Sequence, residues 1–369
     1  MTTKSLYDEY KDRFCGRCKS YYNISICPDE LFSGEHSAEI KACHAFIEKH
    51  FKDGRKKDAL NFSFRNDYAV NERSAHMVSL YLLGLKLKVL FKDSIEKEFN
   101  NNITGDKSWY DFRYTWFLTC LYHDTASCVE AGNDNWTNNA GLLKSPYTTP
   151  IRYNDPLKSI AFRGSDDLAV KYFEYRKSSG KFDHGIAGGY LLFNRLIDSF
   201  QNATKDYDIE QGPMVKNGLK WRKEHIDHFR YIADAIICHN MWAVPSTDVA
   251  GVEKYKKYNL GKLIIDRNNI LDQRLSKDNF PLQFMLCLLD TIEPVKRFAH
   301  LTAREVIENI SIDGSCKQQI QIAWNNRIKQ EPEFWKWMEN IFNMKDWMQV
   351  DVSLCRQKGE WCYVTIDFR

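Results

Sequence analysis

Nowhere in the 369 residues is there an apolar run of the roughly 18–20 residues that a membrane-spanning helix needs. The richest stretch, Leu80 to Phe91, is interrupted by Lys86 and Lys88. The N-terminal segment MTTKSLYDEYKDRF is charged and lacks the apolar centre of a signal peptide, so a cytoplasmic protein is expected. A large charge of one sign is also missing. Lys and Arg total 52 against 49 Asp and Glu, a formal net charge of +3. That balance carries no general signal for nucleic-acid binding, although it leaves room for a local basic groove. There is no internal repeat and no low-complexity segment. With 43% hydrophobic, 27% charged and 14% aromatic residues, the composition excludes whole-chain disorder and fibrous structure. In a reducing compartment the 11 cysteines are expected as thiols, with Cys120 and Cys287 acting as small apolar core groups.

What the sequence does contain is mainly helical periodicity. Ile40, Cys43, Phe46, Ile47 and Phe51 recur at helical spacing over 36–51. Leu80, Leu83, Gly84, Leu87 and Phe91 do so over about 72–91, and Phe112, Trp116, Thr119 and Cys120 over about 109–130. Each pattern predicts a helix with one buried stripe. From 132 to 180 the period dissolves into Gly, Asn, Ser and Asp, interrupted by Pro146, Pro150 and Pro156. This reads as a long insertion with a short helix near 166–177. Helices are expected again at about 184–200, 222–241, 281–298, 303–310, 315–329 and 331–343. At the end of the chain, Met348, Val350, Val352 and Leu354 alternate with polar residues. After Lys358-Gly359-Glu360, so do Cys362, Val364, Ile366 and Phe368. This period of two about a turn predicts a β-hairpin packed on the helices. The expected fold class is all-α, a helical bundle with a small C-terminal hairpin.

Five stretches carry candidate chemistry: RSAH ending at His76, YHDTA with His123 and Asp124, FDHGIAGG with His184, ICHN with His239, and LLDTIEP with Asp290. They stand 47, 60, 55 and 51 residues apart, so each can come from a different helix and converge on one bundle interior. Imidazoles suit transition metals, and a carboxylate can bridge two ions. Adjacent helical residues point about 100° apart. The His123-Asp124 doublet therefore opens like a fork at one metal, and its Asp can reach a second.

The ordered set H…HD…H…H…D resembles the HD superfamily of metal-dependent phosphohydrolases over about residues 70–300. His76, His123, Asp124 and Asp290 match its defining positions, and His184 and His239 match the extra histidines of its dinuclear branches. The order is similar to that of the HD nuclease domain of CRISPR-associated nuclease-helicases and of HD hydrolases acting on dinucleoside polyphosphates. Two positions depart from the pattern. Thr125, Ala126 and Ser127 follow the doublet where many members carry Gly and Lys. Asn240 stands where some nucleases carry a second His of a pair.

The resemblance implies a catalytic domain over 71–300, with the insertion at about 132–180. An N-terminal helical extension (1–70) and C-terminal helices with a hairpin (301–369) would flank it. It implies one or two divalent transition metal ions (Mn, Fe, Ni, Co or Zn). The first would be held by His76, His123, Asp124 and Asp290, the second by Asp124, His184 and His239. The implied activity is hydrolysis of a phosphoester or phosphoanhydride bond by a metal-activated water, which Asp290 or Asp183 would orient. The substrate would be a phosphorylated small molecule such as a nucleotide, or a nucleic-acid strand. Asn240, Arg73, Arg163, Lys181 and Lys296 are candidate substrate-binding residues, with Arg297 beside them. A single-strand nuclease of a nucleic-acid defence system and a non-catalytic nucleotide-binding protein are the competing readings.

Other features have plainer expectations. Cys15 and Cys18, with Cys27 and Cys43 or His36 beyond, have irregular spacing and read as thiols rather than a zinc site. Asp183 can equally be a helix N-cap. His225 and His228 lie too far from His239 along one helix to share its metal, and are expected to face solvent or substrate. Trp324, Trp335, Trp337 and Trp347 read as core and hairpin packing.

Overall fold

The computed structural model describes residues 4–16, 25–49, 70–102, 110–124, 166–181, 183–216, 219–266, 274–298, 300–314, 318–358 and 361–368. In chain order the helices are α1 (Leu6–Phe14), α2 (Pro28–Leu31), α3 (His36–Lys49), α4 (Val70–Leu87), α5 (Lys92–Asn102), α6 (Phe112–His123) and α7 (Asp166–Ser178). They continue with α8 (His184–Thr204), α9 (His225–Cys238), α10 (Val249–Lys257), α11 (Pro281–Ile292), α12 (Ala303–Glu308), α13 (Asn326–Lys329) and α14 (Phe334–Asn343). Among the described residues no single helix is long and apolar enough to cross a membrane.

Helices α4, α6 and α11 form the centre, and here the expectation of one buried stripe per helix is corrected. From Ser74 to Leu87 every residue of α4 is buried, and so is every residue of α6 from Tyr114 onward. In α11 only Asp290 escapes full burial. A helix buried all round must be covered on every side. The N-terminal helices and the C-terminal unit supply part of that cover, and their apolar residues belong to the same core cluster as α4, α6 and α11. The carboxylate of Glu39 in α3 accepts from the backbone N–H groups of Ala303 and Arg304 at the start of α12, at 2.8 and 3.1 Å. The two ends of the chain are thereby tied together at a helix N-terminus, where a carboxylate satisfies otherwise unpaired donors.

Two helix pairs approach closely because glycine leaves room. A Cβ on Gly84 of α4 would run into the indole of Trp116, whose Nε1 donates to the Tyr81 carbonyl at 3.2 Å. Gly189 of α8 sits against Ile237 and the Ala233 carbonyl of α9 in the same way. These contacts bring α4 to α6 and α8 to α9, the four helices that carry the candidate histidines.

The all-α expectation is too coarse. The C-terminal hairpin is half of a four-stranded antiparallel sheet in the order β5-β6-β8-β7, made of Ile310–Asp313, Gln319–Asn325, Trp361–Phe368 and Val350–Lys358. The helix expected over 315–329 is instead strand β6 followed by the short α13. Ile320, Ile322 and Trp324 of β6 are buried on one face, and on the other Gln321 is exposed while Ala323 is covered. Phe368 of β8 seats the sheet on the helices, its ring 5.7 Å from that of Phe91 and 5.8 Å from that of Phe284 in α11. Small two-stranded pairs complete the structure: β1 (Met214–Lys216) with β2 (Leu219–Trp221), and β3 (Val244–Pro245) with β4 (Ile264–Ile265).

Candidate metal centre

Each candidate ligand sits where its helix ends or meets the centre. His76 lies in the first half of α4, and His123 closes α6 with Asp124 as its C-cap. His184 opens α8, His239 is the C-cap of α9, and Asp290 lies in the last turn of α11. Four of the five helices thus bring their ligands from an end or a last turn, and His76 reaches the same point from within α4.

They do converge. His76 Nε2 lies 3.3 Å from His123 Nε2 and 3.2 Å from Asp290 Oδ1, and His123 Nε2 lies 3.3 Å from the same oxygen. Asp124 Oδ2 faces this group, 3.6 Å from His76 and 3.5 Å from His123. Its other oxygen, Oδ1, stands 3.3 Å from His184 Nε2. His76, His123 and Asp290 form one group able to hold a metal ion, and Asp124, His184 and His239 form another. Asp124 thus divides its two oxygens between the groups.

The protonation pattern fits such ions. Nδ1 of His123 bonds the Cys120 carbonyl at 2.7 Å, and Nδ1 of His239 bonds the Ile236 carbonyl at 2.6 Å. A carbonyl only accepts, so each Nδ1 carries a proton and Nε2 is the ring nitrogen turned toward the cluster. Nδ1 of His76 likewise meets Glu293 Oε2 at 2.6 Å. Ring nitrogens and carboxylate oxygens gathered this closely in a buried site favour positive charge among them, and Arg73 and Lys296 already pair with Asp124 and Asp290 there. Asp124 Oδ2 is buried with no aligned hydrogen-bond donor, even though the Arg73 guanidinium lies 2.7 Å away as an ion pair. The donor set of imidazole and carboxylate is one that divalent transition metals accept.

The local charges have directional effects. Burial opposes ionisation of Asp124, but Arg73, His123, Lys296 and His184 outweigh it and hold the carboxyl well below its usual range. Asp290 is held low in the same sense, with burial opposed chiefly by Lys296. Burial, helped by the neighbouring His123 and His184, pushes His239 down to about 3, so this ring is neutral at physiological pH. For His76 burial acts downward, but Glu293 and Asp290 leave its pKa above the ordinary value.

A cavity of about 680 Å³ opens on this cluster. Asp124, His184, His239 and Asp290 line it, whereas His76 and His123 are fully buried behind them. Arg73, Lys296 and Asn240, three of the expected substrate-contacting residues, are on its wall, as is Arg297. The Lys296 ammonium pairs with Asp290, and Arg297 donates to the Asp290 carbonyl at 2.8 Å. Lys181 is exposed just beyond α7 and does not line the cavity. Arg163 lies outside the described residues, as do Thr125, Ala126, Ser127 and Cys18.

Asp183 does not meet the expectation that it orients a water. It is fully buried, its Oδ1 accepts from the Ile186 N–H at 2.9 Å, and its Oδ2 accepts from Asn240 Nδ2 at 3.1 Å. Its work is to cap α8 and so to fix His184. His228 departs further from the expectation of a solvated or substrate-facing ring. It is fully buried, with Nε2 2.8 Å from Thr115 Oγ1, and burial pushes its pKa well below the ordinary value. His225 accepts from the Arg222 N–H at 2.9 Å as α9 begins.

Sequence reasoning missed the role of Glu293. Its signal was the acidic-Pro pair Glu293-Pro294 just after Asp290, where the helix ends and Glu293 is its C-cap. Trp347 packs against the core as expected, and it also lines the cavity with Trp242. A third group of metal-ligand type, His300, Glu331 and Glu333, lies at the surface. There both ring nitrogens of His300 are engaged by the two glutamates, at 2.6 and 3.2 Å, which makes it an ion-pair network.

Comparison with protein-family models, with curated proteins and with solved structures finds no match to this chain.

Proposed function

We propose that this chain is a metal-dependent phosphohydrolase of the HD type, cleaving a phosphoester or phosphoanhydride bond. The observation that carries the reading is the division of Asp124 between two ligand groups, Oδ2 toward His76 and His123 and Oδ1 toward His184. Bound there, divalent ions would lower the pKa of a water nucleophile and neutralise phosphoryl charge.

The chain's own residues have separable tasks. His76, His123, Asp124 and Asp290 hold one ion, and Asp124, His184 and His239 the other. Glu293 and the carbonyls of Cys120 and Ile236 fix the ring tautomers, which keeps Nε2 available as the ligand atom. Arg73, Lys296 and Arg297 stand at the cavity wall, where cationic donors meet phosphoryl oxygens.

The test is hydrolysis by purified protein, stripped with chelator and reloaded with Mn, Fe, Ni, Co or Zn, against nucleotides, cyclic nucleotides, 4-nitrophenyl phosphate and single-stranded DNA. Phosphate release that requires metal and is lost in Asp124→Ala supports the proposal. Absence of turnover with every metal and substrate, in protein that has bound metal, contradicts it.

A further inference from the structure

His184 and His239 come to the cluster from two different helices, yet the residues beside them in the chain touch each other. Asp183 immediately precedes His184, and Asn240 immediately follows His239. Asn240 Nδ2 donates to Asp183 Oδ2 at 3.1 Å, and Trp242 Nε1 donates to Asn240 Oδ1 at 2.9 Å. An indole N–H only donates and a carboxylate only accepts, so the amide fits between them one way round. Asp183 Oδ1 accepts from the Ile186 N–H at 2.9 Å as the N-cap of α8. Both Asp183 and Asn240 are buried.

The pair is braced from outside. Arg176, in the last turn of α7, brings Nε to 3.6 Å from Asp183 Oδ2. The Trp242 backbone N–H donates to the Tyr172 hydroxyl of α7 at 3.2 Å, and its carbonyl accepts from the Tyr255 hydroxyl of α10 at 2.9 Å. On the inner side the backbones leave no slack. A Cβ on Gly185 would lie 2.9 Å from the His239 ring and 3.0 Å from Asn240 Cβ. The His184 and His239 ring centroids stand 5.5 Å apart. The other ligand group has separate supports, Glu293 behind His76 and the Cys120 carbonyl behind His123.

We propose that the Asn240–Asp183 hydrogen bond is the positioning element of the Asp124–His184–His239 group, fixing the separation of its two imidazoles and so how tightly they hold an ion. The inference deepens the phosphohydrolase reading and rests on it for the presence of that ion. It changes the role of Asn240, which the sequence suggested as a substrate contact. Both ends of its amide are already engaged, by Trp242 and by Asp183. It also makes α7, which carries no ligand, a brace for one ion and not for the other.

The test is titration of the full-length chelator-treated protein with manganese, read by calorimetry and by electron paramagnetic resonance. Asn240→Ala removes the bond and leaves every ligand in place. It should weaken the second ion about 10–100-fold, as loss of a group that orients ligands does, and leave the first unchanged. The spectrum should pass from a coupled manganese pair to isolated ions. Asp183→Asn keeps an N-cap but sets one amide donor against another, and should do the same. Adding Asn240→Asp to Asp183→Asn restores the bond with donor and acceptor exchanged, and still offers Trp242 an acceptor. This double variant should regain the second ion and the coupled spectrum. Such a rescue identifies the pairing itself, which a general loss of packing would not reproduce. Circular dichroism on the same preparations checks that each variant is folded.

Wild-type affinity for both ions in Asn240→Ala, with only KM raised for 4-nitrophenyl phosphate, would return Asn240 to substrate contact and overturn the inference. Equal weakening of both ions, or a folded double variant that does not recover the second, overturns it as well. A wild-type protein that binds no second ion removes the two-ion reading beneath it, an outcome distinct from wild-type loading that the variants leave unchanged.

Discussion

Nδ1 of His76 and Oε2 of Glu293 lie 2.6 Å apart, and neither side chain has any solvent exposure. The other carboxylate oxygen of Glu293 accepts from the Val295 N–H at 3.1 Å, so the acid is anchored before it orients the ring. A buried carboxylate behind a ligating imidazole fixes the tautomer and raises ligand basicity. Glu293→Ala is expected to lower metal affinity by about 10–100-fold, with Glu293→Gln closer to wild type because an acceptor remains. Metal content after dialysis against buffered free metal measures this. Unchanged affinity in both variants would remove Glu293 from the account.

Asp124 and His239 separate the two ligand groups. Asp124→Ala should strip metal from both, whereas His239→Ala should leave the group of His76, His123 and Asp290 loaded. The helical content of both variants should match wild type, because the apolar core does not include either side chain. Elemental analysis and circular dichroism on the same preparations decide the matter. Equal metal loss in the two variants would argue against two groups sharing one carboxylate.

A Cβ on Gly185 would come within 2.9 Å of the His239 ring. Gly185→Ala should therefore displace that ring and weaken the Asp124–His184–His239 group selectively. At Gly84 the same change drives a methyl group into Trp116, and overpacking of this kind costs typically about 1–3 kcal/mol. Thermal denaturation should show a clear loss for Gly84→Ala. For Gly185→Ala the larger effect should appear in metal stoichiometry. The reverse ranking would mean that α8 and α9 are free to shift apart.

Much of this was legible in the sequence because it depended on residue type and spacing. His76, His123, Asp124, His184, His239 and Asp290 could be found from their separations and apolar settings, and the structure brings all six together. The period of two in the last strands was equally visible. What failed depended on partners remote in sequence. The Gln-Ile-Gln-Ile alternation of β6 was taken for helix because its neighbour β8 lies about forty residues on. His228 looked accessible because nothing local reveals that Thr115 and Phe99 cover it. Trp242 and Trp347 come together only once the C-terminal unit has docked, so a cavity wall made of both has no local signature.

Glu98 gives a pH signature away from the cluster. Burial pushes its pKa up to about 7, against the opposing effect of the Tyr231 hydroxyl, which donates to it at 2.5 Å. The folded protein therefore keeps this proton when the unfolded chain has lost it. Its stabilising contribution is fully present below the unfolded value of 4.5 and is lost as pH rises to about 7. Glu98→Gln should flatten that window, and above it the variant should gain stability over wild type, by at most about 3 kcal/mol. Urea denaturation at pH 5 and pH 8 measures the difference. A wild-type stability that rises across the window through this residue would reverse the assignment.

The most direct test of the central claim is an anomalous difference map from crystals of the chain loaded with manganese. Two peaks about 3.5–4 Å apart are predicted, with the Asp124 carboxylate between them. One should be bounded by His76, His123 and Asp290, and the other by His184 and His239. No peak at this cluster, or a metal bound elsewhere while these side chains remain unligated, would contradict the account.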